Sequence, residues 1–174
     1  MCLGEVFHWI NARQKLILVA QSALNWIHRR CPSVSRAAMY IVEPGKLAKE
    51  SYTLRCMLTT SAKEGAKQQD KLIRQGENLF REYLFQCSEN SESVSADVYG
   101  EHHLAYPIRD HTGCAVAVID FYMPPAQSPS RVQMGELTRV LKLLTLSFYQ
   151  LSVVPEQRLA EDEDHLGSTQ SLCK

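Results

Sequence analysis

One stretch, Cys114–Tyr122 (CAVAVIDFY), constrains this chain more than any other. It is rich in small and β-branched residues, with Asp110-His111-Thr112-Gly113 before it and Pro124-Pro125 after it, so it reads as a strand between turns. Ala115, Ala117, Ile119 and Phe121 fall on one face, and Cys114, Val116 and Val118 on the other. A strand that is apolar on both faces belongs in the middle of a sheet, with a packed layer on either side. Asp120 is the one acid in the run. Burial would raise its pKa or demand a partner, so it is either a polar group facing a pocket or a side chain reaching solvent near the strand end.

The rest of the chain supplies the sheet and its covering layers. Leu3, Ile10, Ile17 and Leu24 recur every seven residues, with Val6, Ala20 and Ile27 three positions further on. This predicts one long helix, its seam broken at Arg13 and its end set by Cys31-Pro32. Arg36–Val42 reads as a strand ending in Glu43-Pro44-Gly45. In Tyr52–Thr59 the residues Tyr52, Leu54, Cys56 and Leu58 alternate with Thr53, Arg55, Met57 and Thr59, which predicts a strand with one buried face. The polar stretch 61–69, containing Gly65, reads as a loop or weak helix start, and Asp70–Phe85 as an amphipathic helix despite Gly76. A loop over Cys87–Ser95 leads into strands at Val94–Tyr99 and His103–Arg109. Pro107 forfeits a ladder donor and so belongs at an edge, a bulge or near a strand end, while Gly113 supplies a turn position with positive φ. After Ser128-Pro129, a pair able to cap and open a helix, Leu137, Leu144 and Leu151 with Val140, Leu141 and Phe148 predict a last helix ending before Pro155.

Charge and cysteine usage narrow the function classes. The 174 residues carry 19 basic and 19 acidic side chains, so the chain lacks the field that a duplex nucleic-acid binder uses to neutralise phosphates. The balance is a sum of unlike parts. Residues 153–174 contain Glu156, Glu161, Asp162, Glu163 and Asp164 and are net −3, which leaves the body net +3. That acidic segment reads as a disordered tail. No run approaches the ~18 continuous apolar residues of a membrane span, and Leu16–Ala20 is too short for a signal-peptide core. An intracellular, cytoplasmic protein with no nucleic-acid partner and no membrane insertion is expected. Met1 suits a true start, and a helix already running at residue 3 suits a piece of a longer chain; both readings stay open. The six cysteines are dispersed without CxxC or finger spacing, which fits reduced thiols and no structural zinc. His102 and His103 are consecutive on a strand and point to opposite faces. With His111 they make a poor chelate, so no metal is expected. No phosphate loop, HExxH or GxSxG is present, and no catalytic residue is assigned.

The stretch HLAYPIRDHTGCAVAVIDFY resembles the signature of the GAF domain family: Pro107-Ile108 at a strand end, Asp110 and Gly113 in the turn, the small-and-aliphatic strand Ala115–Tyr122, then a leucine-rich helix over Gln133–Leu151. The resemblance covers about residues 16–152, leaving residues 1–15 as an N-terminal helical extension. It implies an α+β fold with a mostly antiparallel sheet of five to six strands, the N- and C-terminal helices on one face and an inserted helix near the other. It also implies a noncatalytic regulatory or scaffolding module in signalling, acting through helix-mediated association with a protein partner or a second copy, in a cytoskeletal or ciliary setting among others. Leu3, Val6, Phe7 and Ile10 would be the association surface. The alternative is a small-molecule sensor holding an unknown ligand, with no cofactor assigned. Its pocket would be lined by Arg55, Met57, Phe80, Tyr83, Tyr99 and His103, against the plainer possibility that Phe80 and Tyr83 simply pack the inserted helix. The Asn-Lys-Phe-Asp-Glu signature of cyclic-nucleotide binders and the cysteine neighbourhood of bilin binders are both missing. A free-methionine sulfoxide reductase reading would need Cys56, Cys87 and Cys114 as its thiols.

Overall fold

The computed structural model describes residues 3–44, 52–61, 63–90, 92–110, 112–125 and 129–167. Helix α1 (Leu3–Arg30) precedes β1 (Arg36–Pro44), β2 (Tyr52–Ser61) and β3 (Gly65–Arg74). A 3₁₀ turn (Leu79–Arg81) then leads into α2 (Glu82–Glu89), followed by β4 (Val94–Val98), β5 (Glu101–Arg109), β6 (Ala115–Met123) and α3 (Arg131–Gly167). The six strands form one sheet in the order β3-β2-β1-β6-β5-β4, antiparallel at every pairing. The doubly apolar strand is indeed central: β6 lies between β1 and β5.

A core lies on each face of the sheet. On one face, Leu16, Ile17, Ala20, Leu24 and Ile27 of α1 and Leu137, Val140, Leu141 and Leu144 of α3 pack on Ala37, Met39, Ala117, Ile119, Phe121 and Met123. On the other, Tyr83, Leu84, Phe85 and Cys87 of α2 pack on Ala38, Tyr40, Leu54, Cys56, Ala105 and Val118. The end of α1 is tied to the sheet by His28. Its Nδ1 must donate to the Val34 carbonyl (3.1 Å), which leaves Nε2 to accept from the Thr60 hydroxyl (2.7 Å). Burial lowers the pKa of this imidazole. Ser130 and Gln133 form the reciprocal box that opens α3, with Gln133 N donating to Ser130 Oγ (3.2 Å) and Ser130 N to Gln133 Oε1 (2.8 Å). The cap is therefore Ser130, while Ser128 lies outside the described residues.

Three segments differ from the sequence reading. Residues 65–74 form edge strand β3, not a loop running into a helix. An edge strand needs only one buried position per turn of the pleat, here Ile73, so its polar residues hide its period. The helix expected over 70–85 is two elements separated by a turn at Gly76 (φ 78°), and Asn78 caps the new start by accepting from Phe80 N (3.0 Å). α2 is only Glu82–Glu89, and it takes up part of the loop expected over 87–95. Finally, α3 continues through Pro155 to Gly167, where an end before the proline was expected. An interior proline deletes one donor and bends a helix without obliging it to stop.

Pro107 pairs with Val118 of β6, beyond the reach of β4, whose ladder stops at Ala105. Its missing N–H therefore leaves no ladder incomplete on the β4 side. Gly113 has φ 85°, as its turn requires.

Candidate functional site

The α2 face of β6 is where the polar chemistry gathers. Asp120 stands opposite Ala38 on β1 and Ala105 on β5, and the two small neighbours leave room for a side-chain layer above it. It is fully buried, so it does not reach solvent at the strand end. Tyr83, from the first turn of α2, donates its hydroxyl proton to Asp120 Oδ2 at 2.5 Å. The same phenol oxygen lies 2.8 Å from His103 Nδ1, and because its only proton is committed to Asp120, it must accept there. His103 Nδ1 therefore carries a hydrogen, which it shares with Asp120 Oδ2 at 3.2 Å. Burial first, and then Asp120, push the Tyr83 pKa far above its ordinary value and keep the phenol a donor. Asp120 Oδ1 is buried and has no hydrogen-bond partner among the described residues.

A second phenol pair closes the layer. The Tyr40 and Tyr122 hydroxyls are 3.2 Å apart. Burial drives the Tyr40 pKa well up, and burial followed by Asp120 pushes Tyr122 up to about 12. The His103 ring packs edge-on against Tyr122, with centroids 4.4 Å apart. The deep part of the space beneath α2 is thus filled by the protein's own hydrogen-bonded side chains.

Outside this layer remains a cavity of about 240 Å³. Tyr83, His103 and Tyr122 border it on the inside. The 3₁₀ turn contributes Phe80 and Arg81, the β4–β5 connection Tyr99, and the starts of β1 and β5 contribute Arg36 and Glu101. Arg36 donates to Glu101 Oε2 and lies over the Tyr122 ring, 4.8 Å from its centroid. Arg81 is half-buried within electrostatic reach of Tyr40, Tyr122 and Tyr83, yet its guanidinium has no carboxylate partner or hydrogen bond among the described residues. At the mouth, Phe80 and Tyr99 stack with centroids 4.4 Å apart although both are exposed.

Tyr99 is set by an unusual backbone. Val98 pairs with Glu101 across a two-residue connection in which Tyr99 has φ 51° and Gly100 φ 76°. Positive φ at both positions is what a tight hairpin of the primed type requires, and an aromatic residue at the first of them is strained. The strained turn holds the Tyr99 ring against Phe80 at the cavity mouth.

Of the six residues expected around a pocket, Phe80, Tyr83, Tyr99 and His103 come together here; Arg55 and Met57 do not. Met57 packs on the α1/α3 core, and Arg55 is held by Glu43 (2.9 Å) and Asp70 (2.5 Å). Alternation sets this: Leu54 and Cys56 face α2, so Met57 and Arg55, which pairs with Ile41 of the α1/α3 core, lie on the other face. A bulge then displaces Leu58. Met39 pairs with Leu58 but Tyr40 with Cys56, so Met57 is an extra residue in β2. The insertion switches the strand's parity beyond it, and Leu58 joins the core opposite to that of Leu54 and Cys56. Arg36, Arg81, Glu101, Tyr40 and Tyr122 were not anticipated. For Asp120 the signal was present, as an acid in an otherwise apolar strand.

Side chains of Leu3, Val6, Phe7 and Ile10 lie outside the described residues, as does His111. Those of α1 and α3 that are described include a second apolar set facing away from the sheet: Leu18 is 61% exposed, Leu143 and Leu146 are each 58% exposed, and Tyr149 is 45% exposed. Cys56 and Cys87 are in the α2 core, where burial pushes their thiols up to about 11 and about 12, opposite to what a thiolate nucleophile needs. Cys114 is exposed before β6. His102 pairs with Asp97 (2.8 Å) on the face opposite His103. No group of three metal-ligating side chains occurs among the described residues, and none of the described helices is long and apolar enough to cross a membrane.

A family model described as the EFCB5 second GAF domain matches residues 17–149. Among solved structures, the second GAF domain of DevS from Mycobacterium smegmatis superposes with a TM-score of 0.56 at 17% identity, over 86% of this chain and 99% of that one. The blue-light absorbing form of the PixJ GAF domain from Thermosynechococcus elongatus gives 0.59 at 10% identity, over 88% and 96%. A type II free methionine-R-sulfoxide reductase from Thermoplasma acidophilum gives 0.51 at 14% identity, over 80% and 96%. At these identities the likeness is one of fold.

Proposed function

This chain belongs to the EFCB5 second GAF domain family, and from that membership we propose that it is a noncatalytic regulatory module that self-associates through its terminal helices. The observation that carries the reading is the second apolar set on α1 and α3, Leu18, Leu143, Leu146 and Tyr149, exposed on helices whose other faces already fill a core. Isolated exposed leucines are ordinary on a surface, but Leu143, Leu146 and Tyr149 recur every three residues along α3, and Leu18 adds to them on the adjacent α1, which is the pattern of an interface. Charge supports a second copy as the occupant. The charges of residues 1–152 sum to +3, and the last part of α3, from Glu156 to Asp164, holds five acids, so both signs occur within the same chain. In this reading Leu3, Val6, Phe7 and Ile10 extend the interface along the first part of α1. Light scattering on the full chain and on a form lacking residues 1–14 tests the reading: the full chain is expected as a dimer and the shortened form as a weaker one. Identical monomer masses for both would overturn it.

A second reading has its own observation. A cavity remains outside the filled layer, with a half-buried guanidinium and aromatic rings around it, which supports a sensor that takes a small ligand there. The deep space is taken by Tyr40, Tyr83, His103, Asp120 and Tyr122, so a ligand in this reading is small and sits towards the mouth. No thiol borders the cavity among the described residues, and the raised pKa values of Cys56 and Cys87 count against reductase chemistry.

A further inference from the structure

We propose that the cavity beneath the β4–β5 turn is a site for a small planar carboxylate, an aromatic acid of one or two rings, with Arg81 as its anchor. The inference rests on the sensing reading and names the chemistry of its ligand.

Three observations lead to that class. The first is charge. Arg36 is neutralised by Glu101, and Asp120 behind the inner wall is engaged by Tyr83 and His103, but Arg81 is half-buried with no carboxylate or hydrogen-bond acceptor of its own among the described residues. A guanidinium held this way presents its planar fork unused, the geometry that matches a carboxylate through two parallel hydrogen bonds. The second is shape. Phe80, Tyr99 and Tyr122 place ring faces and edges around the opening, surfaces that hold a flat ring better than a flexible chain. The third is size. At about 240 Å³ the cavity falls below the ~300–1,000 Å³ of drug-sized sites, which suits one or two rings and excludes a tetrapyrrole. The strained φ at Tyr99 fits the same picture, since it keeps one aromatic wall in place before a ligand arrives.

The test is a titration of the full chain followed by amide chemical shifts, with benzoate and 2-naphthoate as probes and benzamide and 2-naphthamide as uncharged isosteres. The acids are expected to give saturable shifts centred on residues 80–83 and 99–101, and the amides to bind at least about tenfold more weakly. Arg81→Gln breaks no internal ion pair, so it should fold. It is expected to weaken the acids by about tenfold or more and to leave the amides unchanged, with Arg81→Lys in between. Tyr99→Ala should weaken acids and amides alike. Equal binding of acids and amides, or indifference of the acids to Arg81→Gln, would overturn the carboxylate assignment while leaving a sensing pocket. Silence of all four probes would overturn both.

Discussion

Replacing Tyr83 with phenylalanine removes one oxygen from the centre of the layer beneath α2. The phenol donates to Asp120 Oδ2 at 2.5 Å and accepts from His103 Nδ1 at 2.8 Å, so both groups lose a partner at once. Asp120 is fully buried and, among the described residues, its Oδ1 has no partner and the 3.2 Å contact from His103 is what remains to stabilise the carboxylate. A hydrogen bond to a charged group contributes ~1.5–3 kcal/mol, and stranding a buried acceptor costs more than the bond alone. The ring still fills its space in the α2 core, so no packing loss is added. The expected cost is about 2–3 kcal/mol, which for a chain of this size lowers Tm by ~4–12 °C. Chemical denaturation of wild type, Tyr83→Phe, Asp120→Ala and the double variant closes a cycle. The two single changes should be strongly non-additive, because each removes the same bond. A Tyr83→Phe cost below about 0.5 kcal/mol, or simple additivity, would refute the view that this bond organises the layer.

Three further outcomes follow from particular residues. At Tyr99 (φ 51°) the change to Ala keeps the left-handed strain and loses the Phe80 stack, whereas Gly loses the stack but relieves the strain; Tyr99→Gly should be more stable than Tyr99→Ala by ~1 kcal/mol in urea melts. His28 has a pKa lowered below 6.5 by burial, so the unfolded chain binds its proton first. Its contribution is fully present above pH 6.5 and is lost as pH falls through the folded value, and His28→Gln should flatten that part of the stability–pH curve. Leu24, wholly buried where α1 meets the sheet, should cost ~2–5 kcal/mol when changed to Ala, measured by the same melts.

What could be read directly from the residues was governed by burial. β6 announces itself because both of its faces are apolar, and α1 and α3 because a stripe of leucine and isoleucine must meet the sheet. β3 stays hidden because an edge strand, whose buried side chain among the described ones is Ile73, is otherwise free to be polar, and its Leu72-Ile73 pair merges by spacing with Leu79, Phe80, Tyr83 and Leu84 into a false helical period. The alternation of Tyr52–Thr59 separates Arg55 and Met57 from Leu54 and Cys56 but does not say which set faces α2, and the bulge that sends Leu58 to the opposite core from Leu54 and Cys56 leaves no mark in it. The aromatic half of the site was legible from Phe80, Tyr83, Tyr99 and His103. Its charged half was not, because Arg36 and Arg81 lie at element ends where a surface role is the ordinary expectation.

Self-association through α1 and α3 is most directly tested by the solution mass of the full chain beside a Leu143→Glu/Leu146→Glu double variant, both by light scattering. These two side chains are each 58% exposed and contribute nothing to the core, so the variant should keep its fold by circular dichroism. A wild-type mass of about twice 19.7 kDa, falling to the single-chain value in the variant, is expected. A wild type that remains at 19.7 kDa as concentration rises, or a variant whose mass matches that of a dimeric wild type, would contradict self-association through these helices.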